Sequence, residues 1–149
     1  VDLSRRYLEM LEQGAAVIRG ILSHLAAGDA PPTVFHCTGG KDRTGVVAAV
    51  LLRLLGVPDD AIVEDYAVSE RNLAPFVAAS RAEMERQGHD PAIVLYLCGS
   101  PPERMRSMLA GLDARWGGIE GYLDWIGLER ATRESLRARL LVPAVPAER

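Results

Sequence analysis

The feature that most constrains the fold is a short apolar segment, followed by a glycine-containing loop and a long apolar stretch. Residues 33–36 are typical of a short buried strand. Residues 44–55 are apolar except for Arg53, which predicts a helix inside the core. A strand–loop–helix unit can aim successive backbone N–H groups and the helix N-terminus at one point. We therefore predict a cradle for a tetrahedral oxyanion at residues 37–43.

The rest of the chain is predicted to be mostly helical. Apolar residues spaced by three and four predict one amphipathic helix over about 4–27. Residues 92–97 fit a buried strand or a buried helix equally, because so short an apolar run has no diagnostic period. Residues 142–149 are expected to form a frayed tail. Three further helices are predicted: one begins at Pro58, and short ones cover about 119–126 and 128–141. A fourth helix is predicted to end at Gly117–Gly118.

The predicted strand at residues 33–36 has no obvious partner. A single strand cannot satisfy its own backbone groups, and a buried parallel-type strand needs neighbours. Unless residues 92–97 pair with it, the partner strands lie outside this sequence. The chain also begins with Val1 rather than Met. We therefore expect residues 1–149 to be a single domain that forms the C-terminal portion of a longer chain.

Composition excludes several classes of protein. A chain of 149 residues that is 48% hydrophobic and 25% charged can bury a core as one domain. Its net charge of −3 disfavours a dedicated nucleic-acid binder, whose binding surface is basic. The apolar run at 46–52 is far shorter than the ~20 residues of a membrane span, so we expect no transmembrane segment. Two cysteines, Cys37 and Cys98, are too few for a disulfide scaffold.

Cys37 lies at the base of the predicted cradle. The backbone N–H groups, the helix N-terminus and Arg43 all favour negative charge there, so we expect a lowered thiol pKa. A thiolate that faces a bound phosphate is an in-line nucleophile. Arg43 can donate two parallel hydrogen bonds to phosphate oxygens, and the Thr44 hydroxyl can bond the sulfur. The expected phosphate-binding residues are Thr38, Gly39, Gly40, Lys41, Asp42 and Arg43.

Residues 36–45 read His-Cys-Thr-Gly-Gly-Lys-Asp-Arg-Thr-Gly. This segment resembles the signature loop of the cysteine-based protein tyrosine phosphatase superfamily, and in its full form that of the bacterial tyrosine/serine protein phosphatase family. Residues 56–58, 64–69 and 116–123 resemble segments located after the loop in that family, so the resemblance covers most of the chain. It implies an α/β fold with a central parallel-type sheet and helices. This chain would supply a mostly helical part with one phosphate-loop strand.

The resemblance implies a cysteine-dependent phosphomonoester phosphatase that acts through a phosphocysteine at Cys37. The implied partner is a phosphotyrosine protein, with phosphoserine, phosphothreonine or phosphoinositides as further substrates. Both chemical steps need a carboxyl group, and Asp42 inside the loop is the expected one. The alternatives are that a residue upstream of this chain supplies it, or that Asp42 only bonds backbone N–H groups. Asp29 lies too near the predicted strand, and Asp2 begins a helix that cannot be placed.

Four other residues carry expectations. His36 is expected to shape the loop, and Asp65 to hold Arg43 unless it is a solvated helix-face acid. Lys41 is the one lysine among 17 basic residues, and its ammonium beside the phosphate suits a second anionic group of the substrate. Cys98 is expected to be a small buried hydrophobe, with a protective disulfide to Cys37 as the alternative.

Two other functions remain open. One is a catalytically weak phosphate-binding module, although a binder would not need the nucleophile Cys37. The other is a relative that transfers sulfur or arsenate, which the pair Arg43–Thr44 fits less well. We expect no metal, no cofactor and no nucleic-acid partner. The location is predicted to be cytoplasmic, or exported if an upstream segment carries a signal.

Overall fold

The described part of the chain is built from helices. The computed structural model describes residues 3–29, 31–88, 90, 92–93, 96 and 99–142. Among these residues, none of the helices is both long and apolar enough to cross a membrane. The helices are α1 (Leu3–Gln13), α2 (Ala15–Ala26), α3 (Asp42–Leu54), α4 (Asp59–Arg86), α5 (Pro102–Trp116), α6 (Ile119–Trp125) and α7 (Arg130–Leu140).

The single helix that we predicted over 4–27 is two helices, because the helix is interrupted at Gly14. The Gly14 N–H donates to the Met10 carbonyl oxygen, and the Ile18 N–H donates to the Gly14 carbonyl oxygen, both at 2.9 Å. Backbone bonding therefore continues across the break. A Cβ added at Gly14 would lie 2.5 Å from the Met10 carbonyl oxygen. The prediction is wrong here because the apolar spacing continues on both sides of the glycine.

Residues 31–37, which lead into the loop, form neither helix nor strand. We predicted a strand at 33–36 with a central sheet around it. No described residue pairs its backbone with this segment, and Val34 is 87% exposed. The other candidate partner, residues 92–97, is helical wherever it is described. A strand needs partners for its N–H and C=O groups, so the phosphate-loop strand and the sheet are not confirmed.

The predicted core helix is α3, and it begins two residues before the expected start at Thr44. Both α3 and α5 pack against α1, α4 and α6. The helix α2 packs against α7. The buried hydrophobic side chains of all seven described helices belong to one cluster. Those of α3 are Val46, Val47, Ala49, Val50 and Leu54. The N-terminus of α3, where the glycine loop ends, is therefore anchored to the core.

Arg53, which interrupts the apolar run of α3, joins three helices. Its guanidinium donates to both carboxylate oxygens of Asp59, at 3.0 and 2.9 Å. It also donates to both carboxylate oxygens of Asp113, at 2.8 Å each. Two-pronged bonding of this kind matches the planar guanidinium to the carboxylates. Since Asp59 begins α4 and Asp113 lies in α5, Arg53 connects α3 to both.

The turn from α5 to α6 depends on close packing at glycines. Gly117 ends α5 with φ +73°, as the sequence predicted, and Gly118 follows with φ +108°. Gly121 then lies so near the end of α5 that an added Cβ would be 1.8 Å from the Trp116 carbonyl oxygen. The obstacle is backbone, which cannot rotate away as a side chain can.

We expect Gly121→Ala to destabilise the fold by about 1–3 kcal/mol, the usual range for overpacking. Gly20→Ala is the matched control, because Gly20 lies exposed in α2 with nothing within 4 Å of an added Cβ. Alanine there gains about 1 kcal/mol in helix propensity. Thermal unfolding measures both variants. A Gly121→Ala melting temperature at or above the parent value would contradict the close approach.

Candidate functional site

The glycine loop turns the chain into α3 and aims backbone N–H groups at one sulfur atom. Gly40 adopts φ +64°, a left-handed conformation that favours glycine. Lys41 follows immediately before the first residue of α3. The backbone N–H groups of Gly40, Lys41 and Thr44 face the Cys37 sulfur and lower the pKa of its thiol. The loop and the first turn of the helix thus surround the sulfur with donors, as a cradle for an anion requires.

The environment of Cys37 favours the thiolate. Burial favours the neutral thiol and raises its pKa, but the Thr44 hydroxyl and the three backbone N–H groups outweigh it. Together they lower the pKa of Cys37 to about 7. A large share of the sulfur is therefore ionised at neutral pH. Arg43, which we expected to contribute, is not among the main causes.

Thr44 has a buried hydroxyl beside the sulfur. Among the described residues, its oxygen has no partner at full hydrogen-bond geometry. Its proton is available to Cys37, and this hydroxyl is the first of the causes that lower the thiol pKa. A buried hydroxyl without a partner is costly, so the charged sulfur is its natural acceptor.

Arg43 and His36 flank the sulfur on the exposed side of the loop. The Arg43 guanidinium is exposed and donates to the Thr38 hydroxyl at 3.4 Å. His36 is exposed, and its Nδ1 lies 3.2 Å from the Cys37 carbonyl oxygen. These side chains contact loop groups and leave the Arg43 head accessible from solvent.

Asp42 is the first residue of α3, and its carboxylate is connected to α1. The Tyr7 hydroxyl donates to Asp42 Oδ1. Lys41 Nζ lies 3.3 Å from the same oxygen. In the part of the chain that the structure describes, Oδ2 accepts no hydrogen bond. An acid at a helix N-terminus is also stabilised by the helix dipole.

Two tyrosines that we did not predict complete this part of the site. Tyr7 is fully buried, and its hydroxyl lies 2.8 Å from the Tyr66 hydroxyl. The two rings meet edge to face at 6.0 Å and 88°. Gly45 leaves room for this pair, since a Cβ there would lie 3.1 Å from Tyr66 Cδ2. In the sequence, each of these tyrosines occupies a core-facing position of its helix. That position does not reveal what the hydroxyl contacts.

Lys41 is buried between the loop and the residues before α5. It is 3% exposed, and its ammonium donates to the Gly99 carbonyl oxygen at 2.8 Å. Arg104 donates to the same carbonyl oxygen at 2.6 Å. A buried ammonium needs such partners, and Asp42 supplies a further one. Lys41 therefore anchors the loop to the residues before α5.

Of the remaining predicted residues, three are exposed and two lie outside the described part of the chain. Asp65 is exposed on α4, and among the described residues it forms no ion pair with Arg43. Asp29 is exposed in the turn after α2. Gly39 is exposed at the outer side of the loop. Asp2 and Cys98 lie outside the described residues.

A cleft of about 490 Å³ opens beside Cys37. His36, Cys37, Arg43 and Thr44 line one end of it, and apolar side chains of α1, α2 and α3 line most of the remainder. Lys41 and Asp42 are not part of this lining. A thiol of lowered pKa, an accessible guanidinium and converging N–H donors form a site for a phosphate-type anion.

Comparison with known proteins identifies the family. Residues 1–142 match the model of the tyrosine phosphatase family. The chain therefore belongs to the tyrosine phosphatase family, a family of hydrolases.

Two curated relatives show the extent of the similarity. The chain is 33% identical over 148 residues to a tyrosine-protein phosphatase of Nostoc commune, which covers 93% of this chain and 49% of the relative. It is 33% identical over 133 residues to the triple specificity protein phosphatase PtpB of Mycobacterium tuberculosis, covering 81% and 47% respectively. The chain thus spans about half the length of these curated relatives.

Titration of Cys37 tests the cradle. Iodoacetamide reacts with the thiolate, so its rate of reaction with Cys37 should rise with pH around a midpoint near 7. In Thr44→Val, which keeps the shape but removes the hydroxyl, the midpoint should move up towards about 8.5, the value of a free thiol. The rate at pH 7 should then fall. Peptide mass spectrometry separates Cys37 from Cys98. A parent midpoint above about 8 would contradict the proposed environment.

Proposed function

We propose that this chain carries the catalytic site of a cysteine-dependent phosphomonoester phosphatase that acts on phosphotyrosine. Phosphorylated proteins are the proposed partners, and phosphoserine, phosphothreonine or phosphoinositides are further substrates. The observation that carries the proposal is the position of Cys37, which lines one end of the cleft with Arg43 and Thr44. Its lowered pKa, about 7, supports the same reading. Family membership and the name of the triple specificity relative support this class of substrate.

In the first step, the Cys37 thiolate attacks phosphorus. The sulfur–phosphorus bond forms as the bond to the ester oxygen breaks. Arg43, which lines the same cleft, donates to two of the non-bridging oxygens, and the loop N–H groups face the phosphoryl group. The departing oxygen takes a proton from Asp42, and an alcohol or phenol leaves.

In the second step, water attacks the phosphocysteine. Asp42, now a carboxylate, takes a proton from the water as the oxygen–phosphorus bond forms and the sulfur–phosphorus bond breaks. Inorganic phosphate leaves, and Asp42 is again protonated. The released thiolate is stabilised by the Thr44 hydroxyl and the same backbone N–H groups that lower its pKa.

The alternative of a phosphate-binding module without turnover is less well supported. Backbone N–H groups and Arg43 suffice to bind a phosphate. An ionised sulfur in the cradle repels the anion that a binder has to hold, whereas a nucleophile has to be ionised. The lowered pKa of Cys37 therefore favours an enzyme over a binder.

The decisive test is phosphate release from p-nitrophenyl phosphate by this chain under reducing conditions. We expect turnover in the parent protein and none in Cys37→Ser, because a serine hydroxyl is not ionised at neutral pH. The Cys37→Ser variant should still bind orthovanadate or phosphate. Turnover that survives in Cys37→Ser, or a folded parent chain without turnover, would overturn the proposal.

The role of Asp42 is tested by comparing substrates with different leaving groups. Phenolate is a stronger base than p-nitrophenolate, so its departure depends more on a proton donor. Asp42→Asn should lower kcat/KM, which reports only the first step, by about 10²-fold for phenyl phosphate and by much less for p-nitrophenyl phosphate. Asp29→Asn, which changes an exposed carboxylate upstream of the loop, is the control and should leave both values unchanged. Equal losses on both substrates in Asp42→Asn would argue against an acid role.

A further inference from the structure

We propose that Tyr7 is a positioning residue for Asp42, whose carboxylate it holds so that one oxygen is left for proton transfer. This inference rests on the proposed function, in which Asp42 donates a proton to the leaving oxygen and later takes one from water. Tyr7 acts through Asp42 and need not touch the substrate.

The hydrogen bonds of Asp42 distinguish its two oxygens. Oδ1 accepts from the Tyr7 hydroxyl and lies 3.3 Å from Lys41 Nζ, so two donors converge on it. Oδ2 has no hydrogen-bond partner among the described residues. Donors from two different elements restrict rotation of the carboxylate. Oδ2 is therefore the oxygen left to carry the exchanged proton, on a side chain that is 36% exposed.

The Tyr7 hydroxyl is itself held in one orientation. Tyr7 is fully buried in the core, and its ring packs edge to face against Tyr66. Its single proton is directed to Asp42, so in the 2.8 Å contact between the two hydroxyls Tyr66 is the donor. Burial, followed by the bonds to Asp42 and Tyr66, raises the pKa of Tyr7 far above its ordinary value. The hydroxyl therefore remains a donor over the working pH range.

This arrangement connects α1 to the phosphate loop through one side chain. Asp42 at the N-terminus of α3 would be stabilised by the helix dipole and by water without Tyr7. The Tyr7 hydroxyl is therefore not needed to stabilise the Asp42 carboxylate, and its contribution is to fix the orientation of that carboxylate. Direction matters for proton transfer, because small misplacements of a catalytic group lower the rate steeply.

The test compares Tyr7→Phe with Tyr122→Phe. Both remove one hydroxyl from a fully buried tyrosine, but the Tyr122 hydroxyl donates to the Leu11 carbonyl oxygen at 3.0 Å and has no contact with Asp42. In Tyr7→Phe we expect kcat/KM for phenyl phosphate to fall on the order of tenfold, with a smaller loss in kcat/KM for p-nitrophenyl phosphate. In Tyr122→Phe, any loss should be equal on the two substrates.

A double-mutant cycle makes the assignment specific. In an Asp42→Asn background, Tyr7→Phe should have no further leaving-group-dependent effect, since the group that it positions is gone. Independent, multiplicative losses would overturn the positioning role. So would a Tyr7→Phe profile that matches Tyr122→Phe. If Tyr7→Phe does not fold, Tyr66→Phe, which removes the donor to Tyr7, is measured in the same way. It should show the same selectivity between the two substrates to a smaller degree. Equal losses on the two substrates would overturn the role.

The controls separate this inference from the proposed function. Suppose that Cys37→Ser loses turnover and that Asp42→Asn loses more activity on phenyl phosphate than on p-nitrophenyl phosphate. If Tyr7→Phe then loses equally on the two substrates, only the role of Tyr7 is overturned. Turnover that survives in Cys37→Ser would overturn the proposed function and the inference with it.

Discussion

The interaction on which the site depends is the convergence of backbone N–H groups on the Cys37 sulfur. Gly40, Lys41 and Thr44 direct their N–H groups there because the loop turns left-handed at Gly40 and passes at once into α3. Burial alone would keep the thiol neutral, and these donors with the Thr44 hydroxyl reverse that preference. An anion-stabilising surface of this kind serves both a bound phosphate and a sulfur leaving group, which are the two states that the proposed chemistry alternates between.

The loop is held from three sides by contacts made far from it in sequence. The core side of α3 anchors its exit, and Arg53 joins α3 to α4 and α5. Lys41 fastens its middle to the Gly99 carbonyl, while Tyr7 of α1 holds Asp42. The outer side, with Thr38, Gly39 and Arg43, remains exposed. A rigid inner side and an open outer side suit a site that must hold donors in place and still admit a substrate.

Much of the helical structure and the chemical centre were predictable from local patterns. The apolar run after the loop predicted α3, and Gly117–Gly118 marked the end of α5. One prediction was wrong and another is not confirmed, both for lack of tertiary information. The interruption at Gly14 lies inside an unbroken apolar period, so spacing alone could not reveal it. The strand at 33–36 was inferred from composition, but a strand also needs partners, and no described residue provides them.

The sequence by itself determined the anion cradle, because a glycine loop before a helix N-terminus creates N–H donors wherever it occurs. It also determined which sulfur lies in that cradle, since Cys37 immediately precedes the loop. Only the tertiary structure decided how the neighbouring charges are used. Lys41 is buried against Gly99 instead of facing solvent, and Asp42 is bonded to a tyrosine 35 residues away. Local pattern reports which groups a segment carries, whereas side-chain partners depend on how distant helices pack around it.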